Sequence, residues 1–388
     1  MKFVFYANTD WYLYNFRLST ALRLKSEGHE VVMLSPPGEF GARFETHGLR
    51  WIQLAMDRAS LNPVREAALI RTLARVLREE RPDLLHNFTV KCAIYGAIAA
   101  RAAGVPAVVN AVAGMGYVFA SERMLARTLR PMVKLLMRGT LGGKQSRLIL
   151  QNPDDADAFV RARLVPEQHI RVIRSSGVNL ERFLPVQPID EPRPLRVLLA
   201  ARLLWEKGIG EYIEAARILR AQGRTIEFVI AGSPDPGNPR SVSREQVEGW
   251  AADGLVDWRG HVEDMPGLMR SMDVIALPSY YREGVPKSLI EAAACGLAVV
   301  TTNLPGCREV VREHGVDGLH VEPRCARSLA DRLVELDDDR VLLRRLGDRA
   351  RQNALEHFDE QMVITRTIAV YDELLPTRRA AHKAAAAA

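Results

Sequence analysis

The sequence contains little cysteine, with 4 such residues in a chain of 388. Cys92, Cys295, Cys307 and Cys325 show neither the CxxC spacing of a zinc or redox site nor the density of a disulfide-stabilised secreted domain. We therefore expect free thiols, no disulfide and no bound zinc. The same scarcity favours a reduced, cytoplasmic setting.

Long hydrophobic runs are also missing. No uninterrupted apolar stretch approaches the ~20 residues that a helix needs to cross a bilayer. The apolar run in residues 1–7 is too short for a signal peptide and is typical of a first buried strand. The sequence therefore predicts neither a membrane-spanning helix nor a secretory leader.

An excess of one charge sign is confined to the first half of the chain. The net charge is +6, and residues 1–185 hold 26 Lys and Arg against 16 Asp and Glu. This asymmetry favours an anionic partner for that half, such as lipid headgroups, a phosphorylated acceptor or nucleic acid. Because the chain shows no recognised nucleic-acid module, we rank nucleic acid last and expect no such partner.

Short apolar runs alternate with segments of helical periodicity, and this alternation predicts parallel sheets covered by helices on both faces. In the first half we expect strands at 2–7, 30–34, 50–54, 83–86, 106–110 and 146–150, and helices near 15–27, 62–80, 90–103, 121–141 and 152–163. In the second half we expect strands at 195–201, 226–231, 256–259, 273–277 and 298–302, and helices at 210–222, 242–252, 287–295 and beyond 325.

A proline-rich segment separates the two halves. Four prolines fall within residues 185–194, which is a composition typical of a linker. We expect two tandem Rossmann-like, doubly wound α/β domains that face a cleft, at 1–185 and 186–365. Residues 366–388 are predicted to form a carboxyl-terminal helix and tail that pack back toward the first domain.

Two carboxylates stand at different depths of one predicted pocket. Pro286 favours a first helical turn, and Gly296 favours the position just beyond a helix end. Glu283 therefore lies on the loop that enters a short helix, and Glu291 lies inside that helix. These positions indicate two separate roles, although helix-start electrostatics and a solvated helix face are the plain alternatives.

Two cations follow strand 195–201 directly. Arg202 and Lys207 precede a helix, and backbone N–H groups together with the positive end of that helix favour an anion such as a diphosphate. The alternative is a solvated loop in which Lys207 pairs with Glu206. Because the carboxylate-bearing segment accompanies these cations in the same half, we expect the diphosphate site.

A wider set of residues resembles a known family. Its members are Arg202, Lys207-Gly208, Ala231-Gly232, Gly260, Leu277-Pro278-Ser279, Glu283 to Pro286, Glu291 to Gly296 and Pro305-Gly306. In order and spacing this set resembles the carboxyl-terminal domain of the retaining glycosyltransferases of family 4, which have the GT-B fold. The resemblance covers about half of the chain.

The resemblance implies a role for each matching residue. Glu283 would approach the donor sugar, Glu291 would bind the ribose hydroxyls, and Arg202 and Lys207 would hold the diphosphate of a UDP-sugar. The remaining residues expected at the donor are Gly284, Val285, Pro286, Lys287 and Ser288. We expect no metal and no other cofactor, since no DxD motif stands out.

A narrower resemblance concerns the first half. It is carried by Asn8 to Arg17, His86 to Lys91 and Asn110 to Phe119, together with Arg202 to Gly208 and Pro305 to Glu309 of the second half. This combination is similar to the branch that adds N-acetylgalactosamine or a related sugar to undecaprenyl-diphosphate-linked saccharides. It implies a loop over 10–16 at the cleft, and acceptor contacts from Trp11, Tyr14, Asn15, Asn87 and Lys91.

The first half also departs from the wider family. The glycine-rich loop common after the first strand is replaced by an aromatic run, and the frequent histidine after strand 106–110 is absent. His86, expected at the end of strand 83–86, is a candidate catalytic replacement, and a satisfied structural histidine is the equal alternative. Trp11 and Tyr14 are expected to stack on acceptor sugars or to pack a domain interface.

Residues 121–144 combine an apolar stripe with the cations Arg123, Arg127, Arg130, Lys134 and Arg138. Basic amphipathic helices of this kind lie in membrane interfaces, so we expect this segment to dock on an anionic membrane surface. A helix with one face in the core and a solvated basic face is the alternative.

These features predict a retaining, metal-independent glycosyltransferase at the inner face of the plasma membrane. It would move a hexosamine, with N-acetylgalactosamine first in rank, from a UDP-sugar to a polyprenyl-diphosphate-linked saccharide in bacterial surface polysaccharide or glycan assembly. A sugar-nucleotide epimerase or phosphorylase on the same fold is the second hypothesis. A non-catalytic anion-binding protein is the third.

Overall fold

The structure is a computed structural model that describes residues 1–58, 60, 62–113, 124–185, 193–235 and 237–375, with backbone alone for 124–129. The chain divides into two compact units. The first comprises Met1–Ser176 and the residues from Val363 on, and the second comprises Gly177–Met362. The division thus lies nearer the amino terminus than residue 185, and most of the expected linker, 186–192, lies outside the described residues.

The first unit contains a parallel sheet of seven strands in the order β3-β2-β1-β4-β5-β6-β7. The strands are β1 (Lys2–Tyr6), β2 (Glu30–Ser35), β3 (Arg50–Gln53), β4 (Leu84–Phe88), β5 (Ala107–Val112), β6 (Ser146–Leu150) and β7 (Ile170–Val172). β1 pairs with β2 on one side and with β4 on the other, so Phe5 lies opposite both Met33 and His86. The strand order therefore reverses between β1 and β4.

Helices accompany this sheet. They are α1 (Asp10–Ser26), α2 (Gly41–Thr46), α3 (Pro63–Glu80), α4 (Val90–Ala103), α5 (Met124–Leu141) and α6 (Pro153–Arg161). The last helix of the chain, α13 (Glu360–Leu374), buries Ile364, Ile368 and Tyr371 in the same apolar cluster as Phe3 and Phe5. Burying each such side chain stabilises this packing by roughly 1.5–3 kcal/mol.

Two expectations for the first unit were wrong. Residues 10–16 are not a loop, because the Thr9 hydroxyl accepts a hydrogen bond from the Tyr12 N–H and starts α1 at Asp10. His86 is not at a strand end, since β4 continues through Phe88 and pairs with β5 as far as Ala111. The sequence analysis also did not predict α2 or the three-residue strand β7.

The second unit contains a parallel sheet of six strands in the order β10-β9-β8-β11-β12-β13. The strands are β8 (Leu195–Ala200), β9 (Ile226–Ala231), β10 (Asp257–Trp258), β11 (Val274–Leu277), β12 (Ala298–Thr302) and β13 (Leu319–Val321). The helices are α7 (Ile209–Ala221), α8 (Arg244–Ala252), α9 (Met265–Arg270), α10 (Lys287–Ala294), α11 (Ala326–Asp338) and α12 (Arg340–His357).

Each unit is a doubly wound α/β sheet, which confirms the predicted fold class. In the second unit the strand order reverses between β8 and β11, and large buried clusters cover both faces of the sheet. Ligands of such sheets bind beyond the carboxyl ends of the strands at the point of reversal. The loops after β8 and β11 are therefore the expected position of a ligand-binding site.

Among the helices that the structure describes, none combines the length and hydropathy that a membrane span requires.

Candidate active site

Glycines bring three loops together at the carboxyl edge of the second sheet. Gly208 has a φ of +81°, and a Cβ there would clash with the carbonyl group of Pro278. Gly306 has a φ of +87°, and its Cβ would clash with the carbonyl oxygen of Gly284. Because these contacts exclude any side chain, the backbones that follow β8, β11 and β12 approach each other closely.

A buried ion pair joins two of these loops. The ammonium Nζ of Lys207 lies 2.5 Å from Glu283 Oε1, and the two side chains are 16% and 11% exposed. The Ser279 hydroxyl lies 2.9 Å from the same oxygen and 3.0 Å from the backbone oxygen of Glu206. Oxygen Oε2 of Glu283 has no protein partner among the described residues. It is therefore available to a ligand.

Ser279 is the member of this cluster that the sequence analysis did not place in the site. It is fully buried, and its single hydroxyl proton has two acceptors within reach. The signal was its place directly after β11 and four residues before Glu283. Its position allows it to orient the carboxylate and to fix the turn that carries Lys207.

The second carboxylate, Glu291, lies within the short helix, as predicted. Pro286 caps α10, and Gly296 follows the helix end with a φ of +80°. Burial raises the pKa of Glu291 above its ordinary value of 4.5, while Lys287 and Arg182 act in the opposite direction. Lys287 Nζ lies 4.0 Å from Glu291 Oε1. Glu283 therefore precedes the helix and Glu291 lies within it.

Arg202 stands at the same edge but has a different partner. Its Nη1 lies 2.7 Å from Asp235 Oδ2, and its side chain is 58% exposed. Asp235 also lines an open cavity of about 510 Å³ that follows β9. Glu206 pairs with Arg240 at 3.2 Å, so the expected alternative of a Lys207–Glu206 pair does not form.

The residues proposed for the acceptor on α1 are only partly exposed. Trp11 is 41% exposed and packs edge-on against Phe16. Tyr14 is half-buried, and its ring lies 5.3 Å from that of Phe40. Asn15 is exposed and donates to the backbone oxygen of Trp11. Trp11 and Asn15 are thus accessible on the helix surface, whereas Tyr14 packs within its own unit.

Two other acceptor candidates are engaged inside the first unit. Asn87 is fully buried and donates to Asn110 Oδ1 at 2.9 Å. Lys91 Nζ lies 2.9 Å from Glu66 Oε2 and donates to the backbone oxygen of Asp57 at 2.7 Å. Asn87 therefore faces the interior, and Lys91 holds the loop before α3. Asn87 has no exposed surface in the described structure, whereas the side chain of Lys91 remains 18% exposed.

His86 is buried as well, with 1% of its surface exposed. Its Nδ1 lies 2.6 Å from the Tyr371 hydroxyl on α13. Burial, and secondarily the charge of Arg17, hold the pKa of His86 well below its ordinary value of 6.5. The ring is therefore neutral at pH 7, and its other nitrogen has no partner in the part of the chain that the structure describes.

Helix α5 has two apolar faces. Met137 and Leu141 are buried in the core of the first unit. On the outer side Met132, Leu135 and Leu136 are 53%, 69% and 37% exposed. One face of the helix thus packs in the core, and the outer side carries exposed apolar side chains.

In the described ranges no group of three or more His, Cys, Asp or Glu side chains is placed to hold a metal ion. All four cysteines are free thiols.

The fold and this site define a class, the GT-B glycosyltransferases. Residues 194–339 match the family described as "Glycosyl transferases group 1", and residues 16–175 match "Glycosyl transferase 4-like domain". Two solved structures share the fold at 21% identity. HepE of Anabaena, in complex with UDP and glucose, has a TM-score of 0.77 over 96% of this chain and 99% of its own. A sucrose-phosphate synthase of Thermosynechococcus elongatus has a TM-score of 0.79 over 97% of this chain and 99% of its own.

Two relatives resemble the chain in sequence as well. One is the N,N'-diacetylbacillosaminyl-diphospho-undecaprenol alpha-1,3-N-acetylgalactosaminyltransferase of Campylobacter jejuni, 30% identical over 97% of this chain and 99% of the relative. The other is the UDP-Gal:alpha-D-GlcNAc-diphosphoundecaprenol alpha-1,3-galactosyltransferase of Escherichia coli, 29% identical over 73% of each. The chain belongs to the group 1, family 4-like glycosyltransferases, which confirms the predicted family.

Proposed function

We propose that the protein transfers a hexosamine, N-acetylgalactosamine in first place, from a UDP-sugar to a polyprenyl-diphosphate-linked saccharide. Transfer proceeds with retention at the anomeric carbon, without a metal ion, at the cytoplasmic face of the membrane. The observation that carries the proposal is the cluster of Lys207, Glu283 and Ser279 where the strand order of the second sheet reverses.

The donor half of the proposal follows from charge. Lys207 keeps ammonium protons beyond the one directed at Glu283, and Arg202 is an exposed cation at the same strand end. Two cations at this edge neutralise the charge that develops on a departing diphosphate. Because Glu291 is only partly paired within α10, it can accept both hydroxyls of a ribose.

Glu283 acts on the sugar in this scheme. One of its oxygens is held by Lys207 and Ser279, and the other is open to a ligand. The open oxygen orients a sugar hydroxyl or stabilises positive charge at the anomeric carbon. Gly284 to Ser288 follow it and complete the donor site. We assign Glu283 no role as a covalent nucleophile.

The acceptor and sugar follow from the relatives. Both relatives are named for a saccharide carried on undecaprenyl diphosphate and for an alpha-1,3 linkage. The relative that matches nearly the whole chain is named as an N-acetylgalactosaminyltransferase. An alpha linkage is what retention produces from an alpha-configured UDP-sugar. In the first unit Trp11 and Asn15 are the proposed acceptor contacts, because both remain accessible on α1.

Helix α5 brings the protein to a lipid-linked substrate. Met132, Leu135 and Leu136 form an exposed apolar patch, and Arg130 and Lys134 belong to the same helix. Apolar side chains that enter a membrane interface beside cations favour anionic lipid, with ~1 kcal/mol from each cation. The proposed occupant of this patch is the surface of an anionic bilayer.

Transfer is tested by incubating the protein with a panel of UDP-sugars and short polyprenyl-diphosphate glycans. The product mass identifies the sugar, and NMR identifies the anomeric configuration. We expect an alpha-linked N-acetylhexosamine. An inverted product, or calorimetry that shows no heat with UDP for folded protein, would refute the proposal.

Two variants test the division of labour in the donor site. Glu283→Gln is expected to lower turnover far more than UDP affinity, whereas Glu291→Ala is expected to weaken UDP binding. Glu356→Gln, an exposed carboxylate on α12, is the matched control and should alter neither quantity. Equal losses of turnover and affinity in both site variants would contradict these roles.

Membrane docking is tested by flotation with vesicles of phosphatidylglycerol. Leu135→Ser should lower the bound fraction several-fold, because the side chain is 69% exposed on the proposed face. Leu355→Ser, which alters a 45% exposed leucine of the second unit, is the control. Binding that is insensitive to salt and to Leu135→Ser would count against docking through α5.

A further inference from the structure

A small cavity lies within the first unit. It is about 10 Å³ in volume, which is room for roughly one water-sized atom. Its wall includes backbone and side chains at the carboxyl ends of β5, β6 and β7, together with two donors on other elements. The residues that line it with polar groups are Arg17, His86, Gln151, Ser175 and Thr367.

Arg17 is an unusual group in this position. It is 7% exposed, and no carboxylate among the described residues lies within 4.0 Å of its guanidinium. It donates to the Tyr12 hydroxyl at 2.9 Å and lies 4.6 Å from the centre of the Phe88 ring. Its Nε has no acceptor within the described part of the chain. A buried cation held only by neutral groups is costly, and an anion would compensate it.

His86 supplies the second donor. Its Nδ1 is within hydrogen-bond distance of the Tyr371 hydroxyl, and its Nε2 is buried without a partner among the described residues. When Tyr371 donates to Nδ1, the neutral ring carries its proton on Nε2 and becomes a donor to the cavity. Arg17 and His86, each with one buried nitrogen that has no partner among the described residues, therefore both line a space that fits one oxygen atom.

We propose that Arg17 and His86 form an oxyanion subsite that takes one phosphoryl oxygen of the acceptor's diphosphate. This inference rests on the proposed function, because the acceptor supplies the ligand. Phosphate and carboxylate oxygens both suit a guanidinium fork, and the lipid-linked acceptor brings a diphosphate to the first unit. Arg17 would bind the phosphoryl oxygen, and His86 would donate a hydrogen bond to it rather than act as a base.

The subsite is tested by calorimetry on the full chain saturated with UDP, so that the donor site is occupied. Farnesyl diphosphate is the probe, and farnesol and inorganic phosphate are the comparison ligands. We expect Arg17→Met to weaken farnesyl diphosphate binding at least tenfold and to leave farnesol binding unchanged. Arg17→Lys keeps the charge but loses the fork, and an intermediate affinity is expected.

Arg23→Met is the matched control, since Arg23 is an exposed cation of the same helix and pairs with Glu27. It should bind farnesyl diphosphate like the parent protein. Thermal unfolding gives a second measurement. Because the buried charge has no carboxylate partner among the described residues, Arg17→Met should melt no lower than the parent protein. If Arg17 had a purely structural role, its replacement would lower the melting temperature.

Several outcomes would overturn the subsite. They are unchanged farnesyl diphosphate affinity in Arg17→Met, an equal loss of UDP affinity in that variant, and absence of farnesyl diphosphate binding by the parent protein. If Arg17→Met does not fold, the parent titration and Arg17→Lys decide the question. Failure of the proposed function would appear separately, as loss of UDP binding or of transfer in the parent protein.

Discussion

The ion pair between Lys207 and Glu283 gives the most direct energetic prediction. Removing one partner of a buried pair costs ~3–5 kcal/mol, because the other charge is left buried without compensation. Both side chains here retain slight solvent contact, at 16% and 11%, so we expect about 2–3 kcal/mol for Lys207→Met. Glu283→Gln should cost less, about 1–2 kcal/mol, since the amide can still accept from Lys207 and Ser279.

The double variant provides the decisive number. With both charges gone, the cost should fall short of the sum of the single costs by about 1–2 kcal/mol, which is within the range for contacting residues. Native-state hydrogen exchange is the assay, because a chain of two units need not unfold in one step. The reporters are the N–H of Lys207, bonded to Leu204, and the N–H of Tyr280, bonded to Glu206.

A control and a refutation complete this experiment. Arg217→Met removes an exposed pair with Glu214 on α7 and should change the exchange of the same reporters by less than about 0.5 kcal/mol. Strictly additive effects of Lys207→Met and Glu283→Gln would show that the two charges do not stabilise each other. The Lys207–Glu283 pair would then not preform the donor site.

Three further predictions concern separate parts of the chain. Burial raises the pKa of Glu291 above 4.5, so its carboxylate is protonated at a higher pH than an ordinary glutamate. UDP affinity, measured by calorimetry, should therefore fall as the pH is lowered toward this raised pKa. Glu291→Gln should abolish that pH dependence. Glu373 pairs with Arg147 and Arg171, and Arg171 is the main cause of its lowered pKa. Glu373→Gln should lose ~1 kcal/mol of stability at pH 7 in urea unfolding, and the difference should vanish as pH falls below 4.5 through the lowered pKa. Gly306→Ala should cost roughly 1–3 kcal/mol in the same assay, since a side chain at its positive φ meets a neighbouring carbonyl oxygen. An unchanged denaturation midpoint would contradict either stability prediction.

The regular elements were largely predictable because their signals are local. Helical periodicity over 62–80 and 90–103 corresponds to α3 and α4 within one residue. The start of α1 was missed because a single threonine cap decides it, and the aromatic run after it suggested a loop. The edge strands β7 and β13, of three residues each, carry too few side chains for a period to be visible.

The site was predictable in its carboxylates but not in its partners. Pro286 and Gly296 bracket α10 in the sequence, so the positions of Glu283 before the helix and of Glu291 within it follow from local rules. Which carboxylate Lys207 contacts depends on how the loops after β8 and β11 meet, and that is a tertiary property. The hydrogen bond between Asn87 and Asn110 was not predictable for a related reason, because it depends on how two strands are placed side by side.

Arg17 shows a signal that was present and unused. It lies on the buried stripe of α1 with Leu13, Thr20, Ala21 and Leu24, where the helical period calls for an apolar side chain. A cation on such a stripe must find a counter-charge or a ligand.

The buried cation of each unit has a different environment, because Lys207 has a carboxylate partner and Arg17 has none among the described residues. This difference fits the proposed transfer reaction. Lys207 is already paired with Glu283, so in the proposed function an incoming diphosphate would have to share it, and Lys207 would hold UDP less strongly. Such moderation suits a group whose ligand must leave after every transfer. Arg17 has no carboxylate partner among the described residues, so an acceptor phosphate would meet its full charge. We therefore expect Glu283→Gln to leave UDP binding unchanged or tighter while turnover falls.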